Sequence, residues 1–215
     1  ELGSDRVVIS SHGLREGLLY QALDSATRAL DPLVEAVGHA VGSAQPQATE
    51  TLMAWSDPVL AGEPAGMRRL RHAAYLLAET SWVANPDFRV IEGEELALHG
   101  NWPGVDAAGR AQMAMALHVG LGGNPACPPN LVRQLASDPE LARAAGWGHA
   151  LRLAQRLVGN NPAALAALPL RRDGSGELVL HLPRRFSALG DEATARRLAR
   201  LGQALGVAAR IETRG

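Results

Sequence analysis

The sequence contains no lysine, so arginine supplies all 21 of its basic side chains. It has a single cysteine, Cys127, which excludes an intrachain disulfide and is typical of a protein from a reducing compartment. No apolar run reaches the roughly 18 residues that a membrane-spanning helix needs, and no signal peptide opens the chain. We therefore expect a soluble, cytoplasmic protein that does not bind a membrane.

Aromatic residues are scarce, at 4% of the chain, and they are not interleaved with the basic residues. This pattern argues against a stacking platform for nucleic acid, so we expect no nucleic-acid partner. Tryptophan buries a large ring and offers one N–H, which suits the core or a domain interface. We expect that role for Trp55, Trp82, Trp102 and Trp147.

Charge is unevenly distributed along the chain, although the formal net charge is only −1. Residues 165–215 carry nine arginines against five carboxylates, whereas residues 1–164 carry twelve arginines against seventeen carboxylates. The sequence thus predicts a basic C-terminal module on an acidic body. Because lysine is absent throughout, clustered arginines are weaker evidence of function here than in other proteins.

The first twenty residues have the pattern of a boundary between two domains. Residues 6–10 have the β-branched density of a short strand, and apolar side chains then recur at helical spacing from Leu14. A lone strand of this length is not stable by itself. We therefore expect residues 1–12 to be the last strand of a preceding domain and the chain to be the back half of a larger protein.

Pairs of Asp or Asn with proline mark helix starts, because the first residue caps free amides and proline has no N–H to leave unbonded. Four such pairs begin at Asp31, Asn85, Asp138 and Asn161. Helices are predicted at residues 14–23, 31–41, 46–60, 65–81, 86–99, 106–121, 129–136, 139–158 and 162–167. In the helix at 65–81, an apolar stripe predicts a core-facing element. Its members are Met67, Leu70, Ala73, Ala74 and Leu77.

After Pro169 the apolar period changes from helical to alternating. A turn at residues 173–176 joins two strands into a hairpin, the second with Leu178, Leu180 and Leu182 on one face. Asp191 then caps a helix, and residues 207–212 return as a third strand. The predicted fold class is mainly α, with a small α/β tail of order ββαβ. The helix should bury one face, made of Ala195, Leu198, Leu201 and Leu205.

Four segments carry a resemblance to a known family: residues 13–17 (GLREG), 69–77 (RLRHAAYLL), 85–89 (NPDFR) and 104–111 (GVDAAGRA). In this order and spacing they resemble the Ppx/GppA phosphatases, which include exopolyphosphatases and guanosine-pentaphosphate phosphohydrolases. The resemblance implies the C-terminal part of such a protein. Residues 1–12 would be a remnant of an actin-like domain, 13–167 an HD-like helical domain, and 168–215 the small α/β tail domain.

The chain departs from the family where relatives have potential metal ligands. Relatives usually read SDIGW where residues 78–82 read AETSW, so Glu79 stands at the aspartate position. They have histidine where this chain has Asn85 and Ala107. An HD metal site needs imidazoles and a carboxylate that converge on one ion. These departures predict an HD-like fold without phosphohydrolase chemistry of its own.

Two further features are better explained by a structural role than by a functional one. His72, His99 and His118 could in principle converge, but scattered histidines on helices are more often partly buried polar groups, so we expect no metal site. The glycine-rich residues 120–125 follow a helix instead of opening one. We therefore expect a helix C-terminal stop at this point, not a phosphate-binding loop.

In the family, the actin-like domains hold phosphate-binding loops and a catalytic glutamate, and a divalent cation, Mg²⁺, neutralises developing charge. The resemblance implies that the parent removes terminal phosphate from inorganic polyphosphate or from guanosine pentaphosphate. None of that machinery is in this chain, so we expect no catalytic residue, no cofactor and no activity in it alone. The expected partners are its own actin-like domains, a second copy in a homodimer, and the phosphorylated substrate.

C-terminal domains of the family supply dimer contacts and a basic groove for polyphosphate, which makes seven tail arginines candidates for binding. They are Arg171, Arg172, Arg184, Arg185, Arg196, Arg197 and Arg200. The alternative is that these residues are solvated faces of a hairpin and a surface helix. Arg15 and Glu16 are candidates for an interdomain ion pair or cap.

Two other functions are considered for the chain. An independent metal-dependent HD phosphohydrolase would copurify with a divalent metal. A free-standing dimerisation or polyanion-binding module would have no chemistry of its own.

Overall fold

A computed structural model of the chain describes residues 13–42, 46–81, 85–159 and 161–214. This part is mainly helical and ends in a small three-stranded sheet, which confirms the predicted fold class. The α-helices are α1 (Leu14–Ala22), α2 (Ser25–Ala29), α3 (Pro32–Val41), α4 (Pro46–Ser56), α5 (Met67–Ser81), α6 (Arg89–His99), α7 (Ala107–Leu121), α8 (Asn130–Leu135), α9 (Asp138–Val158) and α10 (Glu192–Ala204). The strands are β1 (Leu170–Arg172), β2 (Leu178–Pro183) and β3 (Ala209–Arg214), and 3₁₀ helices cover Pro162–Ala167 and Arg184–Leu189. None of the described helices is long and apolar enough to cross a membrane.

Two helix boundaries have a local chemical cause. Asp31 caps α3, because its Oδ1 accepts hydrogen bonds from the backbone N–H groups of Leu33 (2.9 Å) and Val34 (3.2 Å). Helix α4 ends at Ser56 and not at residue 60 as predicted, because Pro58 follows and proline has no N–H for an intrahelical bond.

Other boundaries differ from the prediction. The side chain of Asn85 accepts from the N–H of Asp87 (3.1 Å) in a turn, so α6 begins at Arg89 and not at residue 86. Ser137 caps α9, and Glu140 Oε2 accepts a hydrogen bond from the backbone N–H of Ser137 at 2.8 Å. This helix therefore begins at residue 138, one residue before its predicted start. The segment Pro162–Ala167 is a 3₁₀ helix, and the short helix α2 was not predicted.

Helix α7 lies at the centre of the helical body and packs against α5, α6 and α9. Trp147 of α9 is fully buried, and its Nε1 donates to Glu63 Oε1 at 2.5 Å. Trp55 and Trp102 are also buried, which confirms the predicted role for three of the tryptophans. Trp82 lies outside the described residues.

The apolar stripe predicted for α5 is buried, except that Met67 is only partly covered. The same helix also buries a charge, because Arg71 is only 1% exposed. Its guanidinium donates to Asp57 Oδ1 (2.6 Å) and Ser56 Oγ (2.7 Å) and lies 3.1 Å from Glu63 Oε2. These partners make the burial tolerable, since an unpaired charge in the interior is very unfavourable.

Helices α7 and α9 approach most closely at small residues. A Cβ on Gly148 would lie 2.5 Å from the carbonyl oxygen of Ala116 and 2.9 Å from the backbone N of Gly120. Glycine at position 148 thus lets the two backbones meet. This crossing fixes α9, which carries part of the site described below.

The tail has the predicted ββαβ order. Strand β1 pairs antiparallel with β2 (Leu170 opposite Leu180), and β3 pairs parallel with β2 (Leu180 opposite Ile211). In the hairpin turn, Asp173 Oδ1 accepts from the N–H groups of Ser175 (2.9 Å) and Glu177 (3.0 Å). The third strand begins at Ala209, two residues later than predicted.

The buried face of α10 is shifted from the predicted one. Leu198 and Leu201 are buried and Leu205 is partly buried, as expected, but Ala195 is exposed and Thr194 is buried in its place. The prediction for Ala195 was wrong because neighbouring helix positions point about 100° apart, and the face against α9 and the sheet is centred on the line through Thr194 and Leu198.

The tail and the helical body share one continuous core. Trp55 of α4 donates its Nε1 hydrogen to the carbonyl oxygen of Leu168 at 2.7 Å, which ties the start of the tail to the body. The domain boundary at residue 168 stays a prediction. The strand predicted at residues 6–10 lies outside the described residues.

Candidate functional site

The seven candidate arginines lie in different parts of the tail. Three of them, which we call the tail arginines, are Arg171 on β1 and Arg184 and Arg185 on the 3₁₀ helix after β2. All three are exposed, and no carboxylate of the described residues pairs with them. The guanidinium of Arg185 lies over the ring of Phe186, 5.0 Å from its centroid.

Two further candidates already have protein partners. Arg172 donates from Nη2 to the carbonyl oxygen of Val59 at 3.3 Å. Arg196 pairs with Glu192, one helical turn earlier, at 2.7 Å. Both residues are therefore weaker candidates for binding an anion than the tail arginines are.

The last two candidates, Arg197 and Arg200, belong to a cluster that sequence analysis did not identify. We define the α9–α10 cluster as His149 and Arg152 of α9 with Arg197 and Arg200 of α10. The Nη1 of Arg197 donates to the backbone carbonyl of Arg152 at 3.0 Å, which holds the two helices in register. His149, Arg152 and Arg197 are partly buried, and Arg200 is exposed.

Burial and neighbouring arginines disfavour the positive charge of three members of this cluster, His149, Arg152 and Arg197. Burial, followed by the charges of Arg200 and Arg152, lowers the pKa of His149 to about 4, so the imidazole is neutral at pH 7. Burial and the charge of Arg200 lower the pKa of Arg152. Burial and neighbouring arginines, Arg152 first, likewise lower the pKa of Arg197.

One carboxylate borders the cluster. Asp191 pairs with Arg156 of α9 and also accepts the backbone N–H of Thr194 (2.9 Å), which caps α10. Its charge partly offsets the repulsion on Arg197. Among the described residues, no carboxylate pairs with Arg152 or Arg200. The cluster therefore has more positive charge than its protein surroundings neutralise.

A helical stripe on α9 is the signal by which the sequence could have indicated this site. His149, Arg152 and Arg156 follow each other at spacings of three and four, so they share one face. Arg197 and Arg200 are three residues apart on α10 and also share one face. Only the packing of these two helices brings the two stripes together.

The histidines considered as metal ligands, His72, His99 and His118, contact three different carboxylates. His118 is the most buried of them, with Nδ1 2.5 Å from Glu94 Oε1 and Nε2 donating to the carbonyl of Asn124 (2.8 Å). In the part of the chain that the structure describes, no group of three His, Cys, Asp or Glu side chains is arranged to hold a metal ion.

The glycine-rich residues 120–125 end a helix, as predicted. Gly122 caps α7 with a φ of +124°, and its N–H donates to the carbonyl oxygens of His118 and Val119. A Cβ on Gly123 would lie 2.4 Å from the ring of His118, so the loop packs directly on that imidazole.

A comparison with protein-family models decides the family of this chain. The model described as the C-terminal part of exopolyphosphatase matches residues 40–211, which is most of the sequence. The chain belongs to the exopolyphosphatase C-terminal family. A search of curated proteins found no match.

The exopolyphosphatase C-terminal match includes the α9–α10 cluster and all seven candidate arginines, and it begins after α1 and α2. In α1, Arg15 pairs with Glu16 at 3.2 Å, and Glu16 also accepts the N–H of Gly13 at 2.8 Å. These two contacts are local to the start of α1 and do not test the interdomain contact expected for Arg15 and Glu16. Their role between domains stays a prediction.

Proposed function

We propose that this chain is the accessory part of an exopolyphosphatase-like phosphatase and that it binds inorganic polyphosphate through its C-terminal arginines. The observation that carries the proposal is the exposure of Arg171, Arg184 and Arg185 without a carboxylate partner in the described structure. Planar guanidinium groups bind phosphate oxygens through paired hydrogen bonds. A polyanion is also attracted over a distance by such unpaired charges.

Arginines elsewhere in the C-terminal tail have structural roles, in contrast to the three unpaired tail arginines. Arg210 lies within 3.2 Å of three carboxylates, those of Asp173, Glu177 and Glu212, and so closes the hairpin on β3. The high arginine content of the chain therefore does not by itself explain why the three tail arginines have no carboxylate partner in the described structure. Their positions are compatible with a surface kept free for an external anion.

In this proposal, hydrolysis of the terminal phosphoanhydride takes place in the actin-like domains of the parent, with a divalent cation there. Helix α1 supports the link to such a domain, because its apolar side chains are exposed in the part of the chain that the structure describes. Leu14 is 83% exposed and Leu19 is 65% exposed, and Leu18 lies beside them. Exposed leucines on one short helix are typical of a docking surface.

The test measures retention on an immobilised polyphosphate matrix with a salt gradient. The triple variant R171Q/R184Q/R185Q should elute at clearly lower salt than the wild type, since each lost charge reduces screened attraction. The control R15Q/R28Q/R133Q removes the same charge from exposed positions on α1, α2 and α8. Equal loss of retention in both variants would contradict binding through the tail arginines.

Dimer contacts and the choice between polyphosphate and guanosine pentaphosphate also belong to this proposal. Light scattering at several protein concentrations tests the dimer, and competition between the two ligands on the matrix tests the preference.

The alternative of a metal-dependent HD phosphohydrolase predicts a stoichiometric divalent metal in the purified chain, which elemental analysis measures.

A further inference from the structure

We propose that His149, Arg152, Arg197 and Arg200 form a binding site for one phosphate group at the junction of the helical body and the tail. The inference deepens the proposed function and rests on it for the ligand class, since it assigns a defined phosphate position to residues outside the tail arginines. Nothing in the family match by itself assigns a role to His149 or Arg152.

The geometry brings the four side chains together from two packed helices. His149 and Arg152 are three residues apart on α9, and Arg197 and Arg200 are three residues apart on α10, so each pair lies on one helix face. The 3.0 Å hydrogen bond from Arg197 to the carbonyl of Arg152 fixes the relative position of the two helices. The same hydrogen bond also restrains the Arg197 side chain, so this side chain loses less freedom when a ligand binds.

The charge balance points to an anionic ligand. The charged groups that act on His149 are Arg152 on its own helix and Arg200 on α10, and the other elements packed on α9 add none in the described ranges. Asp191 borders the cluster but is already shared between Arg156 and the N-terminus of α10. Burial and the charges of neighbouring arginines lower the pKa values of Arg152 and Arg197, and an oxyanion bound among these arginines would offset the repulsion.

A purely structural role explains only part of the cluster. The guanidinium of Arg152 lies near Gly122, at the C-terminal end of α7, where the helix dipole favours a cation. Arg197 likewise has a carbonyl partner. Neither contact accounts for Arg200, an exposed side chain whose charge acts on two other arginines and a histidine.

The chemistry of the site suits a phosphate group of a phosphoanhydride chain. Phosphate oxygens accept hydrogen bonds from several guanidinium forks at once. His149 adds a second property, because a bound anion offsets the arginines and raises the pKa of its imidazole. Binding at this site should therefore be accompanied by proton uptake at His149, in addition to any protonation of the ligand itself.

The experiment titrates the chain with inorganic tripolyphosphate in a calorimeter at low salt, between pH 8 and pH 5.5. We expect R200Q and R152Q each to weaken binding about tenfold or more and R133Q, on α8, to leave it unchanged. R200Q is the decisive variant, since Arg200 is exposed and its replacement should not disturb folding. H149Q should bind with only the pH dependence of the ligand, whereas the wild type should gain affinity relative to H149Q as pH falls.

The outcomes separate this site from the wider proposal. If R200Q and R152Q weaken binding and R171Q/R184Q/R185Q does not, the α9–α10 site is supported, and the tail arginines are excluded as ligands of tripolyphosphate. If only the tail triple variant weakens binding, the α9–α10 site is overturned and the proposed function remains. Equal weakening by R133Q, or no binding of tripolyphosphate by the folded wild type, would overturn the site.

Discussion

Because α7 and α9 cross closely, we predict opposite changes in stability when two glycines of α9, two residues apart, are replaced by alanine. In Gly148→Ala, the new methyl group would meet backbone atoms of α7 at 2.5 and 2.9 Å, and backbone atoms cannot rotate away. In Gly146→Ala, the nearest atom is Leu205 Cδ2 at 3.6 Å, which is an ordinary contact. Both substitutions raise helix propensity by the same amount, so the difference between them isolates the crossing.

The magnitudes follow from these distances. Replacing glycine by alanine inside a helix stabilises it by about 1 kcal/mol, and overpacking costs about 1–3 kcal/mol. Because the contacts of Gly148 are with the backbone, the upper end applies, and we expect Gly148→Ala to lose about 2 kcal/mol of unfolding free energy. Gly146→Ala should gain about 1 kcal/mol. For a chain of this length the gap of about 3 kcal/mol corresponds to roughly 6–12 °C in Tm.

Urea denaturation followed by tryptophan fluorescence measures both variants, and a thermal scan by circular dichroism checks the order. The slope of the unfolding free energy against urea should stay unchanged, which would show that both variants unfold the same structure. Equal stability of the two variants would refute the α7–α9 packing described here.

The remaining predictions concern two buried polar contacts. Arg71→Ala leaves Asp57 and Glu63 without their buried cation and should cost about 3–5 kcal/mol in urea denaturation; a loss below about 1 kcal/mol would contradict the buried pair. Burial alone would lower the pKa of His118, but the hydrogen bond to Glu94 raises it above its usual value. The protonated pair therefore stabilises the fold fully below about pH 6.5, and this stability is lost as pH rises through the folded pKa. His118→Gln should reduce the fall in unfolding free energy between pH 6 and pH 9, and an unchanged profile would count against the pair.

Helix starts, helix stops and the hairpin could be predicted because their causes are local. Asp31 caps the helix that follows it, Gly122 ends α7, and Asp173 forms the hairpin turn through hydrogen bonds within four residues. Where two local signals compete, the prediction was less accurate. Asn85 was expected to begin a helix with the following proline, but its side chain stabilises a turn first.

The candidate site could not be predicted in full because it depends on which helix faces meet. The seven candidate arginines were chosen for belonging to the basic tail, yet Arg152 and His149 come from the acidic body and join Arg197 and Arg200 only through the packing of α9 and α10. Arg71 illustrates the same limit. Its burial depends on three polar partners, Ser56, Asp57 and Glu63, which lie up to 15 residues away in the sequence.

The most direct test of the phosphate site is the protonation of His149, followed by the NMR signals of its imidazole as pH is changed. In the free chain the pKa should be about 4, because the ring is partly buried and the charges of Arg200 and Arg152 act on it. With saturating tripolyphosphate it should rise well above that value, and in R200Q the free pKa should already be higher. A free pKa near the ordinary value of about 6.5, or a low pKa that the ligand does not change, would contradict the site.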